Sequence, residues 1–409
     1  MSFRQILFWV HLTAGLIAGL VIAVMCFTGT VLAFEKELVT WAERDARLVA
    51  APAAGTPRLS LEELQRKLRA SRPEARPQTV VLQRDPAAAV AFAAGRSSTF
   101  YVNPYNGDVR VPQSTSMAAF MQTMISWHRY LGFSAETSRP RGKLVNGICN
   151  IAFCVLALTG LYLWTPRFWS WRALRPSIWF TQNHSRKARD WNWHNVVGFW
   201  SAPVLIALTL TAMPISFRWA GAMLYTLTGT EMPASGPQSS SAPGAPVEVP
   251  TPPAGAQAVS VDSLLTTVQQ RTPDWKSITL RLPNPSARPD AGGKLQPVMF
   301  TVRENASWPR TATITFSMDP FTGAVLKREG YEDLSSARQA RAWTRYLHTG
   351  EAIGWIGQVV AGLASAGGLI LTWTGLALAW RRFFGGKPSR YRMPTPLTGK
   401  HTVDAIGRD

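Results

Sequence analysis

Charge is scarce in this chain: only 16% of its 409 residues are Asp, Glu, Lys or Arg, against roughly 25% in an average soluble domain. Acidic residues are scarcer still, 24 against 43 basic, which leaves a net charge of +19. A basic excess of that size points toward nucleic acid. Strong binders of nucleic acid are rich in charge as well as basic, so the low charged fraction argues against that class. Cysteine is nearly absent, and three residues in the whole chain exclude a disulfide-stapled secreted scaffold. No phosphate-cradling glycine loop and no nucleophile–base constellation stands out. The mean hydropathy of −0.01 resembles that of a soluble protein, but an average hides apolar blocks separated by polar ones.

Four such blocks contain no charged residue: Gln5 to Phe34, Leu144 to Pro166, Trp191 to Phe217, and Ala352 to Trp380. Each exceeds the roughly 20 residues needed to cross a bilayer core. Trp9, Trp164, Trp193, Trp200, Trp355 and Trp380 sit toward their ends, as interfacial anchors do. The first block is too long for a signal-peptide core, and no A-x-A site closes it, so it reads as a membrane helix. Arg167, Arg172, Arg175, Arg186, Lys187 and Arg189 crowd the connection between helices two and three, and Arg381, Arg382, Lys387, Arg390 and Arg392 follow helix four. The positive-inside rule puts both segments, and both termini, in the cytoplasm of a bacterial inner membrane. The short inner segments carry 14 basic and 3 acidic residues, so more than half of the charge excess reports topology and favours anionic lipid.

The chain also repeats. Gly15 follows His11 by one turn and Thr28-Gly29 lies further on; Gly198 and Thr211-Ala212 stand at the same offsets from His194. Helix two ends in Thr159-Gly160-Leu161-Tyr162-Leu163-Trp164, and helix four in Thr374-Gly375-Leu376 and Trp380. Asn103-Pro104-Tyr105-Asn106-Gly107 parallels Asp319-Pro320-Phe321-Thr322-Gly323; both read as tight turns, with Pro setting φ and Gly supplying φ > 0. Each turn follows a predicted helix (59–69 and 260–270) and two predicted strands (78–84 and 88–94; 277–282 and 296–303). The fold class is therefore a mainly α membrane protein. A parallel two-fold repeat builds a four-transmembrane-helix bundle and carries two extracytoplasmic α+β modules. In chain order these are helix one (1–34), the first module (35–116), an interfacial helix and loop (117–143), helix two (144–166) and a basic cytoplasmic loop (167–190). Helix three (191–217), an outer segment with a Pro/Ser/Gly linker at 233–257 (218–258), the second module (259–335), an interfacial helix (336–351), helix four (352–380) and a cytoplasmic tail (381–409) complete it.

Of six histidines, His184 and His401 fall in basic segments and read as solvated. His11 and His194 lie inside membrane helices near the cytoplasmic end, at equivalent places in the two copies. His128 and His348 lie at the outer ends, beside helices two and four. An ionisable residue inside a membrane is a functional candidate by default; the plain alternative is a hydrogen-bonded packing residue. Two pairs, one at each face, favour ligation of haem iron by neutral imidazole. Gly15 and Gly198 would clear space for a flat macrocycle. Zinc lacks a third ligand at suitable spacing, and without a C-x-x-C-H motif the haems would be b-type, held non-covalently. Cys26, Cys149 and Cys154 read as small apolar residues. Arg4, Arg189, Arg129 and Arg345 are placed to meet propionates, or else simply snorkel.

On these helices, turns and histidine positions, with the Leu347-His348-Thr349-Gly350 segment, the chain resembles the PepSY-associated transmembrane proteins over nearly its whole length. The resemblance implies PepSY-like outer modules. It also implies an oxidoreductase similar to bacterial inner-membrane siderophore reductases, with two haems and His11, His194, His128 and His348 as axial ligands. Such a protein passes electrons across the membrane to a periplasmic ferric siderophore for iron uptake. The substrate would dock near Trp127, Arg129, Trp343, Arg345 and Tyr346. The electron donor stays open between a quinol and a cytoplasmic reductase. Two departures stand out: Ala212 replaces the glycine of the other Thr-Gly pairs, and aligning Trp127 with Trp343 sets His128 opposite Thr344. Two other functions fit the architecture: a haem-free anchor whose modules bind a periplasmic protein, and a transporter of the chelate.

Overall fold

A computed structural model describes residues 1–50, 53, 55–95, 98–166, 169–182, 185–233, 247–253, 255–282 and 295–385. His184, His401 and most of the 233–257 linker lie outside these residues, as do Arg167, Lys387, Arg390 and Arg392. Four described helices are long and apolar enough to cross a membrane: α1 (Phe3–Leu32), α6 (Arg139–Trp164), α8 (Arg186–Ser216) and α12 (Trp355–Phe383). Between α1 and α6 come α2 (Glu35–Ala42), α3 (Arg44–Arg47), α4 (Leu61–Ser71), strands β1 (Thr79–Gln83), β2 (Val90–Ala94), β3 (Ser98–Val102) and β4 (Val109–Arg110), and α5 (Ser116–Tyr130). The short α7 (Trp171–Ile178) joins α6 to α8. After α8 follow α9 (Arg218–Leu227), α10 (Val261–Arg271), β5 (Trp275–Arg281), β6 (Val298–Glu304), β7 (Ile314–Met318), β8 (Val325–Glu329) and α11 (Ser336–His348).

The long helices form a ring in which α1 and α8 each pack on both α6 and α12. α1 and α8 thus stand diagonally across the bundle. Ala18, Ile22, Cys26, Phe153, Leu205 and Ala364 fill its centre. α5 lies against α1 and α6, and α11 against α8 and α9. Arg4 donates from its two terminal guanidinium nitrogens to the Thr165 and Leu163 carbonyls (3.0 and 2.5 Å). It thereby satisfies carbonyls that the end of α6 leaves unpaired.

The sequence predicts two outer α+β modules and leaves open how they meet. The strands of both ranges form one eight-stranded antiparallel sheet, ordered β4-β3-β2-β1-β5-β6-β7-β8. β1 pairs with β5 over five residues, Thr79 opposite Arg281 to Gln83 opposite Ser277. Joining there removes two edges that would otherwise expose unpaired backbone groups. The sheet has two chemically distinct faces, because side chains alternate with period two. One row runs Phe100, Phe92, Val80, Leu280, Phe300, Phe316 and packs with Leu64 and Leu68 of α4 and Leu264 and Val268 of α10. The adjacent row on the other face runs Val81, Thr279, Thr301, Thr315, Glu329. That polar face looks toward the bundle. α4 and α10 cap one another: Asp262 accepts from the Leu61 and Glu62 N–H groups (2.7 and 3.3 Å), and Glu62 from that of Val261 (3.3 Å).

The two turns form as their sequences predict. Asn103 accepts from Tyr105 N–H through Oδ1 (2.9 Å), and Asp319 from Phe321 N–H (2.8 Å). Gly107 and Gly323 have φ of 78° and 73°, which a side chain resists. The Pro104 and Pro320 carbonyls accept from Leu59 and Val259, tying each turn to the entrance of α4 or α10. The Phe321 and Thr322 N–H groups hold the Asp319 carboxyl below the usual carboxylate range. A carboxyl depressed in the folded state adds stability above its unfolded value and loses it as pH falls through the folded value. Asp319→Asn copies Asn103 and keeps the turn. The stability advantage of the wild type over this variant is expected to shrink below about pH 4, measured as thermal midpoint against pH. A pH-independent difference would contradict this assignment.

Candidate functional site

Four side chains of one type organise the bundle. Thr28 on α1, Thr159 on α6, Thr211 on α8 and Thr374 on α12 each turn the hydroxyl back to donate to a carbonyl of their own helix. The acceptors are Val24, Val155, Ala207 and Ile370, at 2.6, 2.6, 2.6 and 2.8 Å. A hydroxyl has one hydrogen, so what remains is a lone pair. Three of these lone pairs face a histidine Nδ1: Thr159 with His11 (3.0 Å), Thr374 with His194 (2.9 Å) and Thr28 with His128 (2.9 Å). His348 Nδ1 meets the Leu208 carbonyl at 2.9 Å and the Thr211 hydroxyl at 3.5 Å. Every partner is an acceptor, so each neutral ring carries its proton on Nδ1. The Nε2 lone pair is then the one left for a metal.

The residue after each threonine decides how closely the ring can sit. A Cβ on Gly160 would lie 3.1 Å from His11 Cε1, one on Gly375 3.3 Å from His194 Cε1, and one on Gly29 3.4 Å from His128 Cε1. The Thr-Gly pairs are therefore imidazole seats. The fourth seat is Thr211-Ala212, and there the ring has moved from the hydroxyl to the carbonyl. The role of these pairs was missed in the sequence. Four Thr-small pairs matching four membrane-associated histidines was the available signal.

The seats bring the histidines together in two pairs. His11 and His194 have ring centroids 6.3 Å apart with planes at 84°, and His128 and His348 lie 6.2 Å apart at 48°. The first pair sits at the end of the bundle away from the sheet, the second at the sheet end. Seventeen residues separate His11 from Thr28, or about 25 Å along the helix. The outer histidines, out of register in sequence, meet because Thr344 and His348 are one helical turn apart and share a face. Their rings rest on α1 and α8, while the His128 backbone stays beside helix two, where Asn146 bonds its carbonyl. Burial pushes the His128 imidazole down to about 4, the neighbouring His348 adding to the effect, and burial lowers His348 as well. Both rings are neutral at pH 7.

A metal bound in line by both Nε2 atoms at about 2.0 Å separates the ring centres by about 6.2 Å, since each nitrogen lies about 1.1 Å from its centre. Both pairs have that spacing. No group of three His, Cys, Asp or Glu side chains gathers among the described residues. Any metal held at either pair would have two histidine donors and would have to bring its remaining ligands with it.

The sheet-end pair opens into a cavity of about 1120 Å³ between the bundle and the threonine-rich sheet face. Arg129, Lys143, Arg281, Arg338, Arg341 and Arg345 line it, against Glu35 and Glu329. Asn146 Nδ2 donates to the His128 carbonyl, while its buried Oδ1 has no hydrogen-bond partner. Of the expected docking residues, Arg129, Arg345 and Tyr346 line the cavity, whereas Trp127 and Trp343 do not; Trp343 packs edge-on against Trp308. Gly15 and Gly198 face Leu156 and Leu371 at ordinary contact distance. Arg4 is held by α6, and Arg189 bonds Asp190.

The tautomer assignment is open to direct test. In a ¹⁵N-histidine spectrum of the cofactor-free chain, these four rings are expected to be protonated at Nδ1. Thr374→Val should shift His194 alone toward a tautomer mixture, leaving it without a hydroxyl acceptor worth about 1 kcal/mol. Protonation at Nε2 in the wild type would contradict the seats.

Residues 8–382 match a family model described as the PepSY-associated TM region. No curated protein matches the chain.

Proposed function

The chain belongs to the PepSY-associated TM region family, and from that premise we propose that it is a di-haem membrane reductase delivering electrons to a ferric siderophore. The observation that carries this reading is the pair of facing imidazole couples, each at the spacing of a two-nitrogen axial site. Haem would supply the other iron ligands itself, which suits a pair of imidazoles with no third His, Cys, Asp or Glu gathered beside them among the described residues. His11 with His194, and His128 with His348, would hold the two groups. When bound, haem supplies reversible one-electron chemistry.

The protein's own contribution is legible in its residues. Each Thr hydroxyl or backbone carbonyl fixes a ring through Nδ1–H, orienting Nε2 and raising its basicity. Between the two pairs the apolar cluster around Ala18, Ile22, Cys26, Phe153, Leu205 and Ala364 keeps water and charge out. At the sheet end, six cationic side chains face two acidic ones around the cavity. That balance attracts an anionic, oxygen-rich chelate of Fe(III). Reduction of the ion to Fe(II) weakens its hold on hard anionic oxygens, so iron leaves without hydrolysis of the chelator.

In this reading the basic loop 167–190 and the tail lie in the cytoplasm and the sheet in the periplasm. The helix–module–helix unit is used twice in the same orientation, the two modules sharing one sheet. The expected absorption spectrum has a Soret band and visible bands that sharpen on reduction. His11→Ala and His194→Ala should each lower haem per chain by about half while sparing the sheet-end pair. Unchanged haem content in both variants would refute the assignment.

A further inference from the structure

The two halves of the bundle are alike where histidines sit and unlike on one outer seam. Between α8 and α12, at the end away from the sheet, a groove of about 320 Å³ is lined by Arg189, Asp190, Trp193, Ile370, Trp373 and Thr374, among others. Aligning His11 with His194 and Thr159 with Thr374 puts Ile6, Leu7, Val10 and Leu158 at the places of Arg189, Asp190, Trp193 and Trp373. The α1–α6 seam is therefore plain aliphatic, and the α8–α12 seam has two indoles ending in a carboxylate. Histidine seating is common to both halves and does not require this difference. Trp373 is 71% exposed and Trp193 42% on helices that cross a membrane, so the groove opens sideways toward lipid.

We propose that this groove binds a membrane quinol, which donates electrons to the His11–His194 centre; the inference rests on the haem reading above. The chemistry of the groove selects the occupant. Indole faces and Ile370 suit a flat apolar ring with an isoprenoid tail trailing into lipid. Asp190 Oδ2 accepts one bond from Arg381 and keeps a second lone pair for a ring hydroxyl. A phospholipid headgroup is disfavoured, because Asp190 already engages both nearby guanidiniums: Arg189 at 3.0 and 2.9 Å, and Arg381 at 2.6 Å. A phosphate would meet the carboxylate with no unpaired cation from this triad. Thr374 couples groove to centre: it lines the groove and accepts from His194 Nδ1 at 2.9 Å. One quinol breaks both O–H bonds, releases two protons to water at the Arg189–Asp190 end, and leaves as the quinone. Its two electrons reduce two equivalents of ferric iron, taken one at a time.

The test uses the full chain in lipid nanodiscs. An azido-quinone probe is photolysed and its adducts located by mass spectrometry, a binding readout that needs no haem. Labelling is expected on the α8 and α12 segments flanking Trp193 and Trp373, and excess decyl-ubiquinone should abolish it. Trp373→Leu, which copies Leu158, and Asp190→Asn, which keeps the shape of the arginine contacts, should each lower labelling about tenfold. In haem-loaded chain the same variants should slow haem reduction by decyl-ubiquinol about tenfold while dithionite reduces all forms equally. Labelling elsewhere, competition by phospholipid alone, or variants that label like wild type would overturn the proposal. A chain that labels as expected but carries no Soret band would sink the haem reading and leave the binding site standing.

Discussion

A hydroxyl that has already donated its only hydrogen fixes the rest of this structure. Because each seat threonine bonds back to its own helix, it can only accept, and the imidazole beside it can only donate from Nδ1. That single constraint sets the tautomer, turns the ring and frees Nε2. It also explains why a glycine follows three of the four threonines: the ring must come within ordinary contact distance of the backbone. α1 and α8 stand diagonally because each carries one histidine and one seat, while α6 and α12 provide the other seats from the positions between them.

The sheet depends on this arrangement from the other side. α5 and α11 must be long enough to carry His128 and His348 to α1 and α8, and each of them follows directly on an edge strand, β4 or β8. Pairing β1 with β5 fixes the distance between those edges. The apolar row of phenylalanines then faces α4 and α10, which leaves the threonine row to roof the cavity over the sheet-end histidines. The fused sheet is a spacer as well as a fold.

Much of this was legible in the sequence. Charge-free blocks located the four long helices to within a few residues, because desolvating a charge in a membrane core is costly enough to leave a clear gap. The Asn-Pro-Tyr-x-Gly and Asp-Pro-Phe-x-Gly turns were readable because φ > 0 and a side-chain acceptor are local requirements. The β1–β5 join was not, since edge pairing depends on partners far apart in the chain and leaves no period. The histidines could be found as a set, and the four Thr-small pairs stood out as a repeat, but that each pair seats one ring depends on helix packing and not on sequence spacing. The four-residue offset of His348 looked like a broken repeat until the helix turned it onto the same face. Arg4 read as a propionate partner or a snorkelling charge; the structure has it tying the end of α6, and Asp190 likewise ties α8 to the end of α12.

Our proposal is that two pairs of Nδ1-anchored imidazoles each hold one iron through both Nε2 atoms. It is tested most directly by counting haem per chain as the pyridine haemochrome and recording the electron paramagnetic resonance spectrum of the oxidised protein. The account predicts two b-type haems per chain, both low-spin and six-coordinate. Chain purified from haem-replete cells without haem, or with a high-spin five-coordinate signal, would contradict it.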